Sequence, residues 1–240
     1  MIIFPAVDIL NGWCVRLHQG QYDAVTVYAK DPSEMAKAWA ADGAQWLHVV
    51  ELDGAKEGRA VNLPAIEKIV SSVDIPVQCG GGVRTKADLK RLFDLGVSRV
   101  VLGTTLVTDP DFAREAIDTY GARLVAGVDG REGKVAVAGW REETDVEVVE
   151  LAGELAEKGV KRVIYTDITV DGTRKGPNLE STGNLARSIN VPVIASGGVS
   201  SLNDISAVKR IEPPVEGVIV GRALYEKELT LARAIEVAKG

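Results

Sequence analysis

The chain has 240 residues, 46% of them hydrophobic and 26% charged, with a net charge of −6. That length supports one large domain or two small ones, with a substantial core. The acidic balance argues against a nucleic-acid binder, which carries a basic face, although a few arginines and backbone amides can still hold a small anion. No apolar run approaches the roughly 18 residues that a membrane span needs.

The N-terminal segment has no basic flank, and Asp8 interrupts its apolar run, so it reads as a strand and not a signal peptide. Short apolar runs then recur at Ile2–Val7, Trp46–Val50, Ile75–Cys79, Val97–Leu102, Leu124–Val128, Val160–Tyr165, Val191–Ala195 and Val215–Val220. Most are apolar throughout, as in parallel strands covered on both faces. Amphipathic stretches lie between them. Asp31-Pro32 opens a helix that Gly43 closes, Thr85 with Asp88 caps a second, and Asp109-Pro110 opens a third that ends at Gly121. Thr144 is expected to start a helix that stops at Gly159. These are N-cap, first-turn proline and terminal glycine signals. Asn62–Ser71, Leu179–Ser188, Ser201–Ile211 and Thr230–Ala238 supply the remaining four.

Strict strand–helix alternation predicts an α/β fold with a parallel sheet. Eight units in about 250 residues fit a (βα)8 TIM barrel more simply than a doubly wound open sheet. The chain also repeats itself. Ile75–Val83 is echoed by Val191–Val199 at an offset of 116, Val97–Gly103 by Val215–Gly221 at 118, and Val7-Asp8 by Val128-Asp129 at 121. Residues 1–240 therefore read as one barrel made of half-barrels of about 1–121 and 122–240. Two connections, Ile9–Lys30 and Gly130–Glu143, are long. Both leave the carboxyl ends of strands, where barrel active sites are built, and loops of this length are often lids or binding loops.

Asp8 and Asp129 each end an apolar strand, where a carboxylate is costly unless it is paired or functional. Strands one and five face each other in a barrel, so these two can act as general acid and base on opposite sides of a substrate. Asp171, in an Asp-Gly turn after strand six, is a third candidate, and Thr166 and Asp167 could orient an acid. Gly80, Gly81 and Gly82 with Gly103 and Thr104 form one expected anion cradle, and Gly197 and Gly198 with Gly221 and Arg222 form the other. Gly176 joins the binding set. Two cradles with carboxylates between them imply a small-molecule ligand carrying a phosphate at each end. Arg16 and Arg84 are further anion partners, and Trp140, at the tip of the second long loop, is placed to stack on a heterocycle. His48 reads as an interior histidine, and Trp13, Trp39 and Trp46 as packing residues. Cys14 and Cys79 read as reduced core residues, and no spacing suggests a metal site.

The stretches Pro5–Asp8, Val15–Gly20, Gly80–Arg84, Thr166–Thr173, Ser196–Val199 and Val220–Leu224 together resemble the phosphoribosylformimino-aminoimidazole-carboxamide ribotide isomerases of histidine biosynthesis. The resemblance runs the length of the chain. It implies a cytoplasmic, cofactor-free barrel that converts an aminoaldose bisphosphate into its aminoketose, and a monomer is the expected state. By resemblance Asp8 is the base and Asp129 matches the position usually called the acid, while some relatives assign that role to the carboxylate matching Asp171; both are kept as candidates. A bifunctional relative also acts on phosphoribosylanthranilate, and Val193–Leu202 and Val220–Tyr225 look like it. That activity calls for an arginine two residues before the loop tryptophan, where this chain has Ala138. The cyclase of the next pathway step fits Arg16–Gly20 and Trp140 poorly. A non-catalytic phosphate-binding barrel would lack the two strand-end aspartates.

Overall fold

The computed structural model describes residues 1–18 and 20–240; Gln19, within the Val15–Gly20 motif, lies outside them. Eight parallel strands form the barrel, numbered here one to eight: Ile2–Leu10, Leu47–Glu51, Val77–Gly80, Arg99–Leu102, Leu124–Arg131, Val163–Asp167, Val193–Ser196 and Gly217–Val220. Each pairs with its neighbours in sequence, and strand one also pairs with strand eight, which closes the ring. This is a (βα)8 barrel. Closure leaves no unpaired edge and buries both faces of each strand, which is why the runs are apolar throughout.

The inner face is filled by Phe4, Ala6, Val125, Ile164, Ile194 and Ile219. A much larger apolar layer joins the outer face of the sheet to the helices. Trp39 packs there edge-on to Tyr225, and Trp46 lies beside Phe4 with the Arg99 guanidinium over its ring. Trp13, by contrast, is not a packing residue, because its ring projects from the first hairpin into solvent. Cys14 and Cys79 are free and buried. Among the described residues no helix is long and apolar enough to cross a membrane.

The helix signals mark most starts correctly. Asp31 accepts from the Ser33 amide ahead of Pro32–Ala41, and Asp109 accepts from Phe112 ahead of Pro110–Tyr120. Thr85 with Asp88 and Ser201 with Asp204 form two capping boxes, related by the offset of 116 that also relates the glycine pairs. Thr144 is the exception. It lies in strand Glu142–Glu147, and the helix Val148–Glu157 begins only after that strand. Residues 143, 145 and 147 face solvent while Thr144 and Val146 are half-buried, so a period of two prevails over a capping signal. The Thr144 hydroxyl instead donates to the carbonyl of Val135 on the neighbouring strand.

Both long connections are antiparallel extensions of the sheet. Trp13–His18 and Gln21–Ala29 form a hairpin on strand one. Lys134–Val137 and Glu142–Glu147 form the corresponding hairpin on strand five. Three short helices, Leu52–Glu57, Thr104–Thr108 and Arg222–Tyr225, add caps at the same barrel mouth.

At the opposite, amino-terminal end, Glu216 binds Arg99 at 3.2 Å and Arg162 at 2.9 Å, with all three side chains largely buried. Glu216→Ala leaves two cations without their partner, and about 3 kcal/mol of stability is expected to be lost. A denaturant midpoint unchanged by this substitution would show that the triad contributes nothing.

Candidate active site

The carboxyl ends of the strands open into one cleft of about 260 Å³. Asp8, Asp129, Thr166 and Asp171 line it, as do Arg16, Gly81, Gly82, Arg84, Gly103, Thr104, Trp140, Gly197, Gly198, Gly221 and Arg222. Gly176 does not. Its backbone N–H donates to the Gly198 carbonyl at 3.0 Å, so it supports a glycine pair from behind.

Asp8 is nearly inaccessible, and its Oδ2 is bound by the Arg16 guanidinium at 2.8 Å. Its Oδ1 has no hydrogen-bond partner among the described residues. Burial pushes the Asp8 carboxyl up to about 6, against the lowering effect of Arg16 and with a smaller upward push from Asp171. Arg16 comes from the first hairpin, whose antiparallel register sets Val15 opposite Asp8. It packs so tightly on Gly221 that a Cβ there would lie 2.1 Å from its Nη2. Arg16 thus serves a carboxylate on the adjacent strand one, in addition to facing the cleft.

Asp129 and Asp171 sit deep in the cleft, and burial raises both carboxyls above the ordinary range. Their partners differ. Asp129 accepts from the Trp140 indole Nε1 at 2.8 Å, and the Trp140 and Thr166 side chains both favour its ionised form. Arg16 and the adjacent Gly172 amide favour the ionised form of Asp171, and no side chain among the described residues donates a hydrogen bond to it. Trp140 is therefore not a free loop tip. It folds back over Gly20 and is tied to Asp129, which fixes the second hairpin on the cleft. Ala138, two residues earlier, donates its N–H to Thr104 Oγ1 at 3.0 Å and offers no cation.

The two glycine pairs are built alike. Gly81 and Gly82, like Gly197 and Gly198, have positive φ, and each rests on the backbone of the preceding unit. A Cβ would lie 2.1 Å from the Glu51 carbonyl at Gly81 and 2.2 Å from the Gly176 carbonyl at Gly198. No side chain fits either place, whatever its chemistry. Gly103 and Gly221, which start the short helices beside each pair, share nearly the same backbone angles, φ −116° and ψ −101° against φ −109° and ψ −101°. Arg84 lies exposed at one rim, across Gly58. Arg222 lies at the other, with Nη1 3.1 Å from the Gly172 carbonyl and 3.2 Å from His18 Nδ1.

His48 forms part of the cleft floor. Gln78 Nε2 lies 3.0 Å from its Nδ1, and burial pushes the imidazole down to about 3, so it is a neutral interior histidine. Sequence reasoning missed a second set of residues beneath the glycine pairs: Glu51, Asp53, Asn62 and Asn178. The repeat was the available signal, because Glu51 and Asp167, and Asn62 and Asn178, are each separated by the same 116 residues as the glycine pairs. Among the described residues no cluster of three or more metal-ligating side chains occurs.

Comparison with known proteins agrees with this geometry. The chain is 51% identical over 237 residues to a protein of Gloeothece citriformis (strain PCC 7424), covering 98% of this chain and 92% of the relative. It is 49% identical over 239 residues to one of Gloeobacter violaceus (strain ATCC 29082 / PCC 7421), covering 99% and 94%. It is 46% identical over 240 residues to one of Ruegeria sp. (strain TM1040), covering the full length of both. The first two are named 1-(5-phosphoribosyl)-5-((5-phosphoribosylamino)methylideneamino) imidazole-4-carboxamide isomerase, and the third carries the same name as isomerase 2. The family model described as histidine biosynthesis protein matches residues 2–230, and the chain belongs to that family.

Proposed function

We propose that the cleft carries out the reaction for which these relatives are named. The chain is an isomerase of histidine biosynthesis that converts the two-phosphate aminoaldose into its aminoketose. The single observation that carries this is the position of Asp8 Oδ1, buried, without a partner among the described residues, in the cleft that two matched glycine pairs also line. One glycine pair with its short helix grips each phosphate through backbone N–H groups.

The rearrangement needs an acid, a base and little water. Asp171 protonates the ring oxygen of the phosphoribosylamine, and the C–O bond breaks to leave a Schiff base. Asp8 removes the proton from C2′, and the electron pair moves into the C1′–C2′ bond to form an enolamine. Tautomerisation then yields the ketose, with no net change in protons. Asp171 is favoured over Asp129 as the acid because the Trp140 indole holds Asp129 at 2.8 Å, whereas no side chain among the described residues donates to Asp171. Arg16 holds Asp8 in place, and Trp140, kept at the cleft by Asp129, covers the heterocycle. A base is most useful when its pKa lies near the working pH, which burial of Asp8 achieves. We place the enzyme in the cytoplasm as a monomer that needs no cofactor, consistent with the family's reaction.

The test is an assay of the purified protein on two substrates. Turnover of the imidazole carboxamide bisphosphate, with none of phosphoribosylanthranilate, is expected. The lack of a cation at Ala138 is the reason for the second half of that expectation. No turnover of the bisphosphate would refute the reading.

A further inference from the structure

Each glycine pair rests on a strand-end backbone that is itself tied down by a carboxylate and an asparagine. Under the first pair, Glu51 is fully buried at the end of strand two. Its carboxylate accepts from the Val61 amide at 3.0 Å and from Asn62 Nδ2. Under the second pair, Asp167 ends strand six and is also buried. Its Oδ2 accepts from Asn178 Nδ2 at 2.6 Å, and its Oδ1 from the Thr169 amide at 2.9 Å.

These ties hold the surfaces on which the glycines sit. Gly81 touches the Glu51 carbonyl, and Gly82 touches the Arg59 backbone, within the segment that Val61 and Asn62 anchor. Gly197 touches the Asp167 carbonyl, and Gly198 touches Gly176, just before Asn178. With no side chain between, a shift of either strand end or of the segment packed on it passes directly to the peptide groups facing the cleft. The two sides differ in one respect. Asn62 Nδ2 also donates to Asp53 at 2.6 Å, and Asp53 accepts from the Asn11 amide at 2.7 Å, which extends the first clamp into the turn that joins strand one to the first hairpin.

We propose that Asn62 and Asn178 are paired positioning residues, each setting the backbone under one glycine pair and so governing the grip on one end of the substrate. This rests on the two-phosphate reading above. Neither asparagine lines the cleft, and the reacting carboxylates Asp8 and Asp171 belong to other segments. Each clamp therefore acts on binding at its own end and not on the chemical step.

The experiment is a titration of the protein with inorganic phosphate, followed by amide resonances of Gly82 and Gly198. In the unaltered protein both resonances should shift with phosphate. Asn178→Ser keeps a good helix-capping oxygen but withdraws the amide donor from Asp167. It should weaken the phosphate response at Gly198 about tenfold, as expected for one lost buried hydrogen bond to a charged group, and leave Gly82 unchanged. Asn62→Ser should do the reverse. With the bisphosphate substrate, each should raise KM with kcat within about twofold, since binding and not the transition state is weakened. If either variant weakens both ends equally, or neither end, the residue has only a general structural role and the proposal is wrong. If phosphate moves neither glycine in the unaltered protein, the two-cradle reading fails and takes the proposal with it. Should Asn178→Ser not fold, Thr169→Val removes another hydrogen bond to Asp167. It must then show the same one-sided loss, and a two-sided loss overturns the assignment.

Discussion

Asp8→Asn should lower kcat by about 10²- to 10⁴-fold while KM changes little, the range typical of losing a positioned general base. The amide oxygen of asparagine can still accept from Arg16, so the hairpin and the glycine pairs keep their places. What is lost is a carboxylate oxygen able to take the C2′ proton. The pH profile should carry the same signature. With its carboxyl pushed up to about 6 by burial, Asp8 is protonated and idle below that pH and active above it. In the unaltered protein kcat/KM should therefore rise with pH through about 6. In Asp8→Asn the residual rate should lose that limb. Near-normal turnover in the variant, or a rising limb that persists, would remove Asp8 from the mechanism.

The second large effect separates the two candidate acids. Asp171→Asn should cost about 10²- to 10⁴-fold in kcat, because an amide cannot deliver a proton to the ring oxygen. Asp129→Asn should cost much less in kcat and more in KM. Its carboxylate accepts from the Trp140 indole, and weakening that contact should free the ring proposed to cover the substrate. The high-pH limb of the profile, where the acid loses its proton, should vanish in Asp171→Asn and persist in Asp129→Asn. If Asp129→Asn instead gives the larger loss in kcat and removes the high-pH limb, the two roles must be exchanged. Rate and profile together distinguish a proton donor from a residue that positions the tryptophan.

Much of the fold and part of the site were legible from local patterns. The eight strands were evident because burial on both faces demands continuous apolar runs, and most helix starts because capping chemistry is local. Thr144 shows the limit of that argument. A threonine with acidic residues after it reads as a cap, yet pairing with the strand Lys134–Val137 outweighs it. Cross-strand pairing is a long-range contact that a capping rule does not weigh. Trp140 shows another limit. Its place at a loop tip suggested a ring free to stack on a heterocycle, but the indole N–H binds the half-buried Asp129 carboxylate.

Glu51 and Asn62 illustrate why part of the site stayed hidden. A glutamate at a strand end followed by an asparagine eleven residues later is unremarkable in sequence, since no fixed short spacing marks it. Only the fold brings the side chains together and places them beneath the glycine pair of the next unit. The repeat could have exposed them, because Asp167 and Asn178 stand at the equivalent places.

The sequence by itself determined the barrel, its two similar halves, and the presence of glycine pairs and strand-end carboxylates at matching places. Those features follow from periodicity, capping and backbone conformation, which act over a few residues and repeat in register. Only the tertiary structure decided how those groups are used. It paired Arg16 with Asp8, tied Asp129 to Trp140, left Asp171 without a side-chain donor among the described residues, and set each glycine pair on a clamped strand end. Whether a buried carboxylate is held, free or raised in pKa depends on partners brought from distant segments and on the water they exclude. No local pattern specifies those partners.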